Sequence, residues 1–363
     1  MARFVLISGK AATFLNAQAM TNYVNINQAP DLQPRGDSGT GSAEYASLKE
    51  FIDAVEVAVL VPCYNEELTI ERVIRDFVQA IPTARIFVYD NCSTDATAIR
   101  ARAAGAIVRT EPLPGKGNVV RRMFADIDAD IYVMADGDAT YDPTVVQDMV
   151  RRLMEDRSDM VVGMRNDVFS NAHRAGHGFG NWFFNRLYRG LFGPVFTDIF
   201  SGYRVFSRRF VKSFPAISTG FEIETEMSVH ASQLRMPVSE IETRYGAREE
   251  GSVSKLRTFP DAFRILGTFL LLYKEIQPAR FFGTIAAFLV LVSLGLAYPL
   301  LQTYLETGLV PRFPTAILAT GLMVLAAISL TCGLILDSVA RGRLEYKRLL
   351  YLGLSQLRPK QQR

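Results

Sequence analysis

Short apolar runs alternate with segments of helical periodicity between residues 56 and 163. In the segment Glu66–Ile81, for example, the apolar positions 70, 73, 74, 77, 78 and 81 have the spacing of an amphipathic helix. Strands that alternate with helices in this way predict an α/β fold, with a mostly parallel sheet covered by helices on both faces. The predicted strands are Val57–Pro62, Arg85–Tyr89, Ala106–Arg109, Ile131–Ala135 and Met160–Gly163, and the other predicted helices are 94–104, 118–127 and 144–155.

Two much longer apolar runs lie near the C-terminus, at residues 281–305 and 313–336, and neither contains a charged side chain. About 20 apolar residues suffice to cross the hydrocarbon core of a bilayer. The pattern therefore predicts a transmembrane helical hairpin over residues 281–337. A pair of buried soluble helices is the alternative, which is disfavoured because soluble helices usually carry a polar face.

The composition of the remaining chain suggests further segments. Residues 25–45 are rich in Gln, Asp, Gly, Ser and Pro, which predicts a flexible extension. In the stretch before the hairpin, Arg264 and Lys274 interrupt apolar residues, which is typical of a helix lying at a membrane surface. The predicted segments are an N-terminal extension 1–53, an α/β domain 54–257, an amphipathic interfacial segment 258–280, the hairpin 281–337 with spans at about 281–302 and 314–336, and a basic tail 338–363.

The basic residues around the hairpin predict its orientation. The loop between the two runs contains Arg312 offset by Glu306, whereas positive charge is concentrated outside the hairpin. Because Lys and Arg favour the cytoplasmic side of a membrane, we expect a plasma (inner) membrane protein whose two termini and α/β domain are cytoplasmic. The flanking basic residues are Arg280, Arg341, Arg343, Lys347 and Arg348.

The overall charge and the cysteines exclude other classes of function. The formal net charge is +3, from 40 Lys and Arg against 37 Asp and Glu, which is too small to indicate a nucleic-acid partner. Cys63, Cys92 and Cys332 form neither a close pair nor a metal-binding spacing, so free thiols in a reducing compartment are expected. A homo-oligomer is left open, since two spans in each chain could pack with those of neighbouring copies.

Polar side chains follow four of the predicted strands at the point where each strand ends. Tyr64 and Glu66 follow the first strand, Asp90 the second, Asp136 the fourth and Arg165 the fifth. In open α/β sheets, ligands bind outside the carboxyl ends of the strands. We therefore expect these side chains to form one site at one edge of the sheet.

Asp136 and Asp138 are separated by a single glycine, Gly137. Two carboxylates this close repel each other unless a cation neutralises them. Mg²⁺ or Mn²⁺ prefers such oxygen ligands and commonly joins one or two carboxylates to substrate phosphates. A polar turn is the alternative interpretation, but its position after an apolar strand favours the metal site.

Five motifs follow one another in the α/β domain. They are Val61-Pro62-Cys63-Tyr64-Asn65-Glu66, Tyr89-Asp90-Asn91-Cys92-Ser93-Thr94-Asp95, Gly115-Lys116-Gly117, Asp136-Gly137-Asp138 and Asp198-Ile199-Phe200-Ser201-Gly202-Tyr203-Arg204. The first four resemble those of family 2 glycosyltransferases with the GT-A fold. The fifth narrows the resemblance to the polyprenyl-phosphate sugar transferases, which include the dolichol-phosphate mannose synthases. The resemblance covers roughly residues 56–257.

The resemblance implies a donor site for a nucleotide sugar, with a UDP-sugar as the expected donor. Asp136 and Asp138 match the acids that hold the donor pyrophosphate through Mn²⁺ or Mg²⁺. Lys116 lies between two glycines, either near the donor phosphates, as in phosphate-binding loops, or in a simple flexible turn. The residues expected to contact the donor are Pro62, Tyr64, Glu66, Asp90, Asn91, Lys116, Asp136, Gly137 and Arg248, where Asn91 replaces the usual second acid.

The resemblance also implies a polyprenyl phosphate, such as undecaprenyl phosphate, as the acceptor. A phosphate monoester has a second pKa of about 6, so it is already ionised near neutral pH and needs no general base. The site should instead supply positive charge to this nucleophile, and Arg165 and Arg174 are the expected acceptor-phosphate residues. Asp136, Asp138 and Arg165 are the expected catalytic residues of an inverting transfer of one sugar.

The sequence also leaves two alternative functions open. A processive polysaccharide synthase shares the fold but usually carries a Gln-x-x-Arg-Trp motif, whereas the single tryptophan is Trp182 in Gly-Asn-Trp. The second alternative function is a non-catalytic membrane scaffold with a degenerate transferase domain.

His173 and His177 have helical metal-ligand spacing but lack a third ligand. Three alternating glutamates either shape the acceptor site or form a solvated face, the slightly favoured interpretation: Glu222, Glu224 and Glu226.

Overall fold

The computed structural model describes residues 55–167, 175–246 and 258–356. The predicted extension 1–53 therefore lies outside the described residues. The same holds for Arg174, His173 and Arg248, three residues singled out in the sequence.

A seven-stranded sheet with strand order β3-β2-β1-β4-β6-β5-β7 forms the centre of the described domain. Strand β6 runs antiparallel to both of its neighbours, and the other adjacent strands pair in parallel. The predicted mostly parallel α/β sheet is thus confirmed, with two strands added beyond the predicted five. The strands are β1 Val57–Cys63, β2 Arg85–Asp90, β3 Ile107–Thr110, β4 Ile131–Met134, β5 Met160–Asp167, β6 Arg204–Ser207 and β7 Val238–Tyr245.

The four helices predicted between the first five strands are present. Three of them begin two to four residues later than predicted, and the third begins two residues earlier, at Lys116. The first one begins at Ile70 rather than Glu66 because the Glu66 carbonyl accepts bonds from the Thr69 and Ile70 N–H groups and closes a tight turn. The helices are α1 Ile70–Ala80, α2 Thr97–Ala103, α3 Lys116–Asp126, α4 Val146–Glu155, α5 Ala175–Phe192, α6 Arg208–Ser213, α7 Ile223–Leu234, α8 Thr258–Ile276, α9 Pro278–Thr307 and α10 Phe313–Leu352.

The hydrophobic core lies against the sheet and is rich in aromatic rings. Phe124 of α3 meets the rings of Tyr132, Phe206 and Phe214 edge-on, with centroids 5.8–6.3 Å apart. Such edge-to-face pairs add about 0.5–1.5 kcal/mol to the burial of apolar area. This packing fixes β4, β6 and α6 against α3, the helix that begins at Lys116.

Helices α9 and α10 pack against each other as an antiparallel pair. Ser293 donates to the Ala319 carbonyl at 2.7 Å, and Ser329 donates to the Phe282 carbonyl at 3.1 Å. Both helices are long and apolar enough to cross a membrane by length and composition. Only 17% of the most apolar window of each is buried, whereas a core helix of a soluble protein is mostly buried. The exposed apolar surface therefore favours a membrane hairpin.

Helix α10 continues without a break through residue 337, the predicted end of the hairpin. Its last turn packs on the α/β domain, where the Tyr351 hydroxyl donates to the Asp159 carboxylate at 2.6 Å. Beyond the helix, the Gln356 carbonyl accepts a bond from the Arg208 N–H at 3.1 Å. The first part of the predicted basic tail is therefore a helix attached to the domain.

Candidate active site at the carboxyl edge of the sheet

The loops after β1 and β2 are joined by hydrogen bonds and carry the first two predicted motifs. Asn65, with a left-handed φ of 52°, donates from its N–H to Ser93 Oγ and accepts from the Thr94 N–H through Oδ1. Pro62 is half-buried beside Tyr89 of β2, and the Tyr64 side chain is 46% exposed at the mouth of this edge. The two loops therefore form one continuous wall.

Asp90 lies in this wall with its carboxylate buried. Among the described residues, its Oδ1 atom has no hydrogen-bond partner. An unsatisfied buried polar atom costs about 1–3 kcal/mol, so Asp90 Oδ1 is an acceptor that a bound ligand could satisfy. Its contact to the donor stays a prediction.

Asn91 is committed to the protein itself. Its Nδ2 donates to the carbonyls of Glu111 and Leu113 at 3.0 and 2.8 Å, and its Oδ1 accepts from the Gly115 N–H at 2.7 Å. Both amide N–H donors are used by these bonds. Asn91 thus shapes the loop that leads into Lys116, and its predicted contact with the donor stays a prediction.

The predicted acidic pair follows β4, and its glycine is required by the packing. A Cβ atom on Gly137 would lie 2.7 Å from Cys63 Sγ and 3.4 Å from Glu66 Cγ. The Gly137 carbonyl accepts a 2.6 Å bond from the hydroxyl of Thr69. The buried Glu66 and the start of α1 therefore hold this turn closely, and only glycine fits at its centre.

Asp138 is buried, and its carboxylate accepts bonds from the backbone N–H and the hydroxyl of Thr140 at 3.2 and 2.6 Å. Asp136 is more open, with 29% of its side chain exposed. A Cβ atom on Gly202 would lie 2.7 Å from Asp136 Oδ2, so this glycine leaves the space beside the carboxylate clear. The acidic pair thus contains one buried carboxylate held by Thr140 and one partly exposed carboxylate.

Lys116 forms a buried ion cluster with two carboxylates. Its Nζ lies 2.5 Å from Asp136 Oδ1 and 2.6 Å from Glu224 Oε1. Burial alone would lower the pKa of the Lys116 ammonium, but the charges of Asp136 and Glu224 outweigh burial and raise that pKa above its ordinary value. Lys116 is therefore a permanent cation beside the acidic pair, and the simple flexible turn does not describe it.

Glu222, Glu224 and Glu226 are all buried at the start of α7, so their interpretation as a solvated face is wrong. Glu222 accepts from the Gly220 N–H, and Glu226 accepts from the N–H groups of Ile217 and Ser218 at 3.0 and 2.8 Å. The resulting 217–220 loop packs on the turn that carries Lys116, where a Cβ on Gly117 would lie 2.1 Å from the Ser218 carbonyl oxygen. The alternation of these glutamates with apolar residues does not reveal their burial. Their partners are N–H groups of the preceding loop and the side chain of Lys116, which is distant in the sequence.

Arg165 lies near the end of β5 in a two-pronged ion pair with Asp198. Its Nε and Nη2 atoms are 2.7 and 2.8 Å from the two carboxylate oxygens, and its guanidinium lies 5.6 Å from the Tyr245 ring centre. Burial alone would raise the pKa of Asp198, but hydrogen bonds and charge from Arg165 lower it below its ordinary value. The structure thus adds Asp198 as a site residue.

The arginine of the Asp198–Arg204 motif has a structural position. Arg204 is fully buried and donates to the carbonyls of Ile199 and Ser201 at 2.8 Å each and to Ser228 Oγ at 3.0 Å. These bonds fix the loop that presents Asp198 and Gly202. The motif therefore acts by holding Arg165 and the space beside Asp136.

The donor set fits a divalent metal that is shared with a substrate. Among the residues that the structure describes, no group of three or more His, Cys, Asp and Glu side chains is arranged to hold a metal ion. Mg²⁺ and related ions are usually bound through one or two carboxylates together with substrate phosphates. Asp136 and Asp138 are carboxylates of this kind, and their predicted role as metal ligands stays a prediction.

A cavity of about 390 Å³ opens beside Asp136, between α1, the loop after β4 and the end of β7. Tyr141 and Tyr245 line it, with ring centres 5.3 Å apart, and the Tyr141 hydroxyl accepts from the Gly202 N–H at 2.9 Å. Burial raises the pKa of the Tyr141 hydroxyl, so it stays protonated near neutral pH. The site edge thus contains an open cavity next to the partly exposed Asp136 carboxylate.

A mostly parallel sheet with an acidic pair, a buried lysine and an unsatisfied carboxylate at its carboxyl edge defines a GT-A type transferase domain. The model of glycosyl transferase family 2 matches residues 58–214. Glycosyltransferase AglJ of Haloferax volcanii is 36% identical over 250 residues, which is 66% of this chain and 80% of that protein. The chain belongs to glycosyl transferase family 2.

The chain is also similar to a further protein and to a solved structure. Protein RfbJ of Shigella flexneri is 55% identical over 122 residues, which is 33% of this chain and 95% of that protein. The crystal structure of glucosyl-3-phosphoglycerate synthase from Mycobacterium tuberculosis with Mn²⁺, UDP-glucose and phosphoglyceric acid has a TM-score of 0.52 at 24% identity, covering 63% of this chain and 83% of that one. The predicted GT-A fold is thereby confirmed.

Proposed function

We propose that this family 2 glycosyltransferase moves one sugar from a nucleotide sugar, a UDP-sugar in the first instance, to a polyprenyl phosphate in a membrane. The observation that carries the proposal is the attachment of an exposed apolar helix pair to the domain with the site. Gln277, at the start of α9, donates to the Leu191 carbonyl of α5 at 2.7 Å, and Phe184 of α5 stacks on Phe269 of α8. A lipid acceptor presents its phosphate at the level of such a junction.

The donor half of the proposal rests on the wall formed after β1, β2 and β4. Tyr64 and Asp90 face the nucleoside, with Asp90 Oδ1 accepting a bond from it. Asp136 and Asp138 face the pyrophosphate, while Lys116 supplies a fixed positive charge. Arg248 remains the proposed residue that closes over the bound donor, and Asn91 acts by shaping the Lys116 loop.

The acidic pair would hold a divalent metal together with the donor. When bound, Mn²⁺ or Mg²⁺ would offset the charge of the pyrophosphate and so stabilise the departing nucleoside diphosphate. The solved structure of glucosyl-3-phosphoglycerate synthase with Mn²⁺ and UDP-glucose supports this choice of ion and donor. Asp138, which Thr140 holds in place, and the more open Asp136 are the proposed ligands.

The acceptor half of the proposal rests on Arg165. An oxygen of the lipid phosphate forms the bond to C1 of the sugar while the bond from C1 to the nucleoside diphosphate breaks, which inverts the anomeric centre. The acceptor needs no proton removed, because its second pKa is about 6. Asp198 holds the Arg165 guanidinium in one orientation, and its remaining N–H donors face the acceptor phosphate together with Arg174.

The proposal places the α/β domain and both ends of the chain on the cytoplasmic side of the plasma membrane. Basic residues outside the hairpin, such as Arg341 and Arg343, support this orientation. Cys92 is exposed on the domain, so in a Cys332→Ser chain a membrane-impermeant maleimide should label it in inverted vesicles and leave it unlabelled in intact cells. Labelling in intact cells would reverse the orientation.

The deciding experiment is a donor screen with purified full-length protein in detergent. The protein is incubated with Mn²⁺, undecaprenyl phosphate and a panel of nucleotide sugars, and lipids are analysed by mass spectrometry. One donor should give a lipid whose mass increases by a single sugar, and the matching polyprenol should give none. No glycolipid from any donor, or transfer to the polyprenol alone, would reject the proposal. A polymeric product would favour the processive synthase.

A further inference from the structure

We propose that Glu224 is a positioning residue that retains Lys116 in the site when a divalent metal takes Asp136. The inference rests on the donor half of the proposed function. It gives α7 a direct part in donor binding, although α7 follows β6 in the chain and carries none of the motifs quoted above. The proposed event is an exchange: Lys116 leaves Asp136, keeps Glu224 and turns towards the donor pyrophosphate.

The two carboxylate partners of Lys116 differ in access. Their oxygens lie 2.5 and 2.6 Å from Nζ, so the two contacts are equally close. The side chain of Asp136 is 29% exposed, whereas that of Glu224 is 5% exposed. An incoming cation can therefore reach Asp136 but not Glu224, and the buried half of the cluster stays intact.

The surroundings keep Lys116 from swinging away. Its own side chain is 10% exposed, and a Cβ on Gly202 would lie 3.1 Å from Nζ. The flanking glycines pack directly on the loop before α7, where added Cβ atoms would meet the Thr219 and Ser218 carbonyl oxygens at 2.2 and 2.1 Å. The backbone under Lys116 is thus fixed to the segment that carries Glu224.

Charge explains why a second carboxylate is useful. Without Glu224, a metal on Asp136 would leave the ammonium of Lys116 buried without a counter-ion, which is strongly unfavourable. With Glu224 in place, Lys116 remains neutralised in both states. The lysine can then offer its remaining N–H donors to a phosphate oxygen at no loss of its buried pairing.

The test measures binding of Mn²⁺ and UDP to the full-length protein in detergent, with no lipid acceptor present. Free Mn²⁺ is followed by electron paramagnetic resonance, and UDP binding at saturating Mn²⁺ is followed by calorimetry. The variants are Lys116→Met and Glu224→Gln. The control is Glu222→Gln, which alters a buried carboxylate two residues earlier that accepts from the Gly220 N–H. Thermal unfolding confirms that each variant is folded.

Lys116→Met should tighten binding of Mn²⁺ alone, because Asp136 loses its competing cation, and should weaken UDP binding by about 10- to 100-fold, the usual range for a partner of a metal site. Glu224→Gln should weaken both Mn²⁺ alone and UDP. A pure charge effect would instead make UDP, an anion, bind more tightly to Glu224→Gln. The Glu222→Gln protein should bind both ligands as the wild type does.

The inference is overturned if Glu224→Gln leaves UDP binding unchanged or tightens it, or if Lys116→Met fails to tighten Mn²⁺ alone. Lys116→Met decides by itself should Glu224→Gln not fold. These binding measurements use no lipid acceptor. If the expected binding changes of Lys116→Met and Glu224→Gln are observed but the wild type glycosylates no lipid, only the proposed acceptor is rejected. If the wild type binds no UDP, the donor half of the proposed function fails, and the Mn²⁺ shifts still decide the exchange.

Discussion

Asp136 and Asp159 each form an ion pair, with Lys116 and Arg209 respectively, but they lie at opposite edges of the sheet. Asp136 follows β4 at the carboxyl edge, and Asp159 precedes β5 at the other edge. Asp159 is fully buried, and its two oxygens accept from the Ser207 hydroxyl, from two nitrogens of Arg209 and from the Tyr351 hydroxyl at 2.6–2.9 Å. Asp136 is partly exposed, beside Lys116 and a glycine.

The difference shows how one residue type can serve structure at one edge and chemistry at the other. Protein donors occupy the lone pairs of the Asp159 carboxylate, so it has no acceptor position left for a ligand. Its hydrogen bonds instead join the start of β5 to α6 and α10. A carboxylate that remains accessible and shares its cation with a second acid can exchange that cation. We name the residues Asp159, Ser207, Arg209 and Tyr351 the helix latch, and Lys116, Asp136 and Glu224 the exchange cluster.

The largest expected effect is on stability, from loss of the helix latch. Asp159→Ala removes the charge that pairs with Arg209 and should destabilise the fold by about 3 kcal/mol, the lower end for a broken buried pair because Arg209 is partly exposed. The melting temperature in detergent should fall by several degrees. Turnover per folded molecule should be unchanged, since the site lies at the other edge.

Asp148→Ala, which removes an exposed pair with Arg151, is the control and should lower the free energy of unfolding by less than about 1 kcal/mol. Equal costs would show that the latch is not a buried pair.

The next effect is on turnover, from loss of a proposed metal ligand. Asp138→Ala should lower turnover by about 100- to 1,000-fold, the scale seen when one charge-stabilising group is lost. UDP binding should weaken only when Mn²⁺ is present. Asp142→Ala is a matched control, because Asp142 accepts from the N–H and hydroxyl of Thr144 as Asp138 does from Thr140. A similar loss in the control would assign Asp138 to loop structure.

A smaller effect is expected at the acceptor side. Arg165→Ala should lower turnover with lipid phosphate by about 10- to 150-fold, which corresponds to a charge-assisted hydrogen bond of about 1.5–3 kcal/mol. Metal-dependent UDP binding should be nearly unchanged, as measured by calorimetry. Arg152→Ala, on the exposed face of α4, should change neither. Loss of UDP binding as complete as in Asp138→Ala would contradict the acceptor role of Arg165.

The sequence could predict features that depend on neighbouring residues. Strand ends are marked by a local change from apolar to polar residues. This change alone predicts that four residues lie at the carboxyl edge of the sheet: Asp90, Asp136, Asp138 and Arg165. The mostly parallel sheet follows from the same alternation. Arg174 and Arg248 lie outside the described residues, and their roles stay predictions.

The missed features depend on residues far apart in the chain. Glu224 meets Lys116 across 108 positions and Tyr351 meets Asp159 across 192, and no local pattern encodes such pairs. Strand β6 was missed because it follows a motif rather than a turn and pairs antiparallel with both neighbours, outside the alternation of strands and helices. The continuation of α10 beyond residue 337 was missed because its charged residues suggest a tail, while its partners lie on α6, α7 and β5.

The smallest effect is expected at the contact between the helix latch and α10. Tyr351→Phe keeps the ring, which lies 4.7 Å from the Arg209 guanidinium, and removes only the hydroxyl that donates to Asp159. The cost should be about 1 kcal/mol, since Asp159 keeps Ser207 and Arg209. In an Asp159→Ala background the same change should cost almost nothing, because the two residues share one hydrogen bond. Unfolding of the four proteins measures this coupling. Turnover on lipid phosphate should be unchanged by Tyr351→Phe; a fall in turnover with UDP binding intact would show that the latch also orients the site over the membrane.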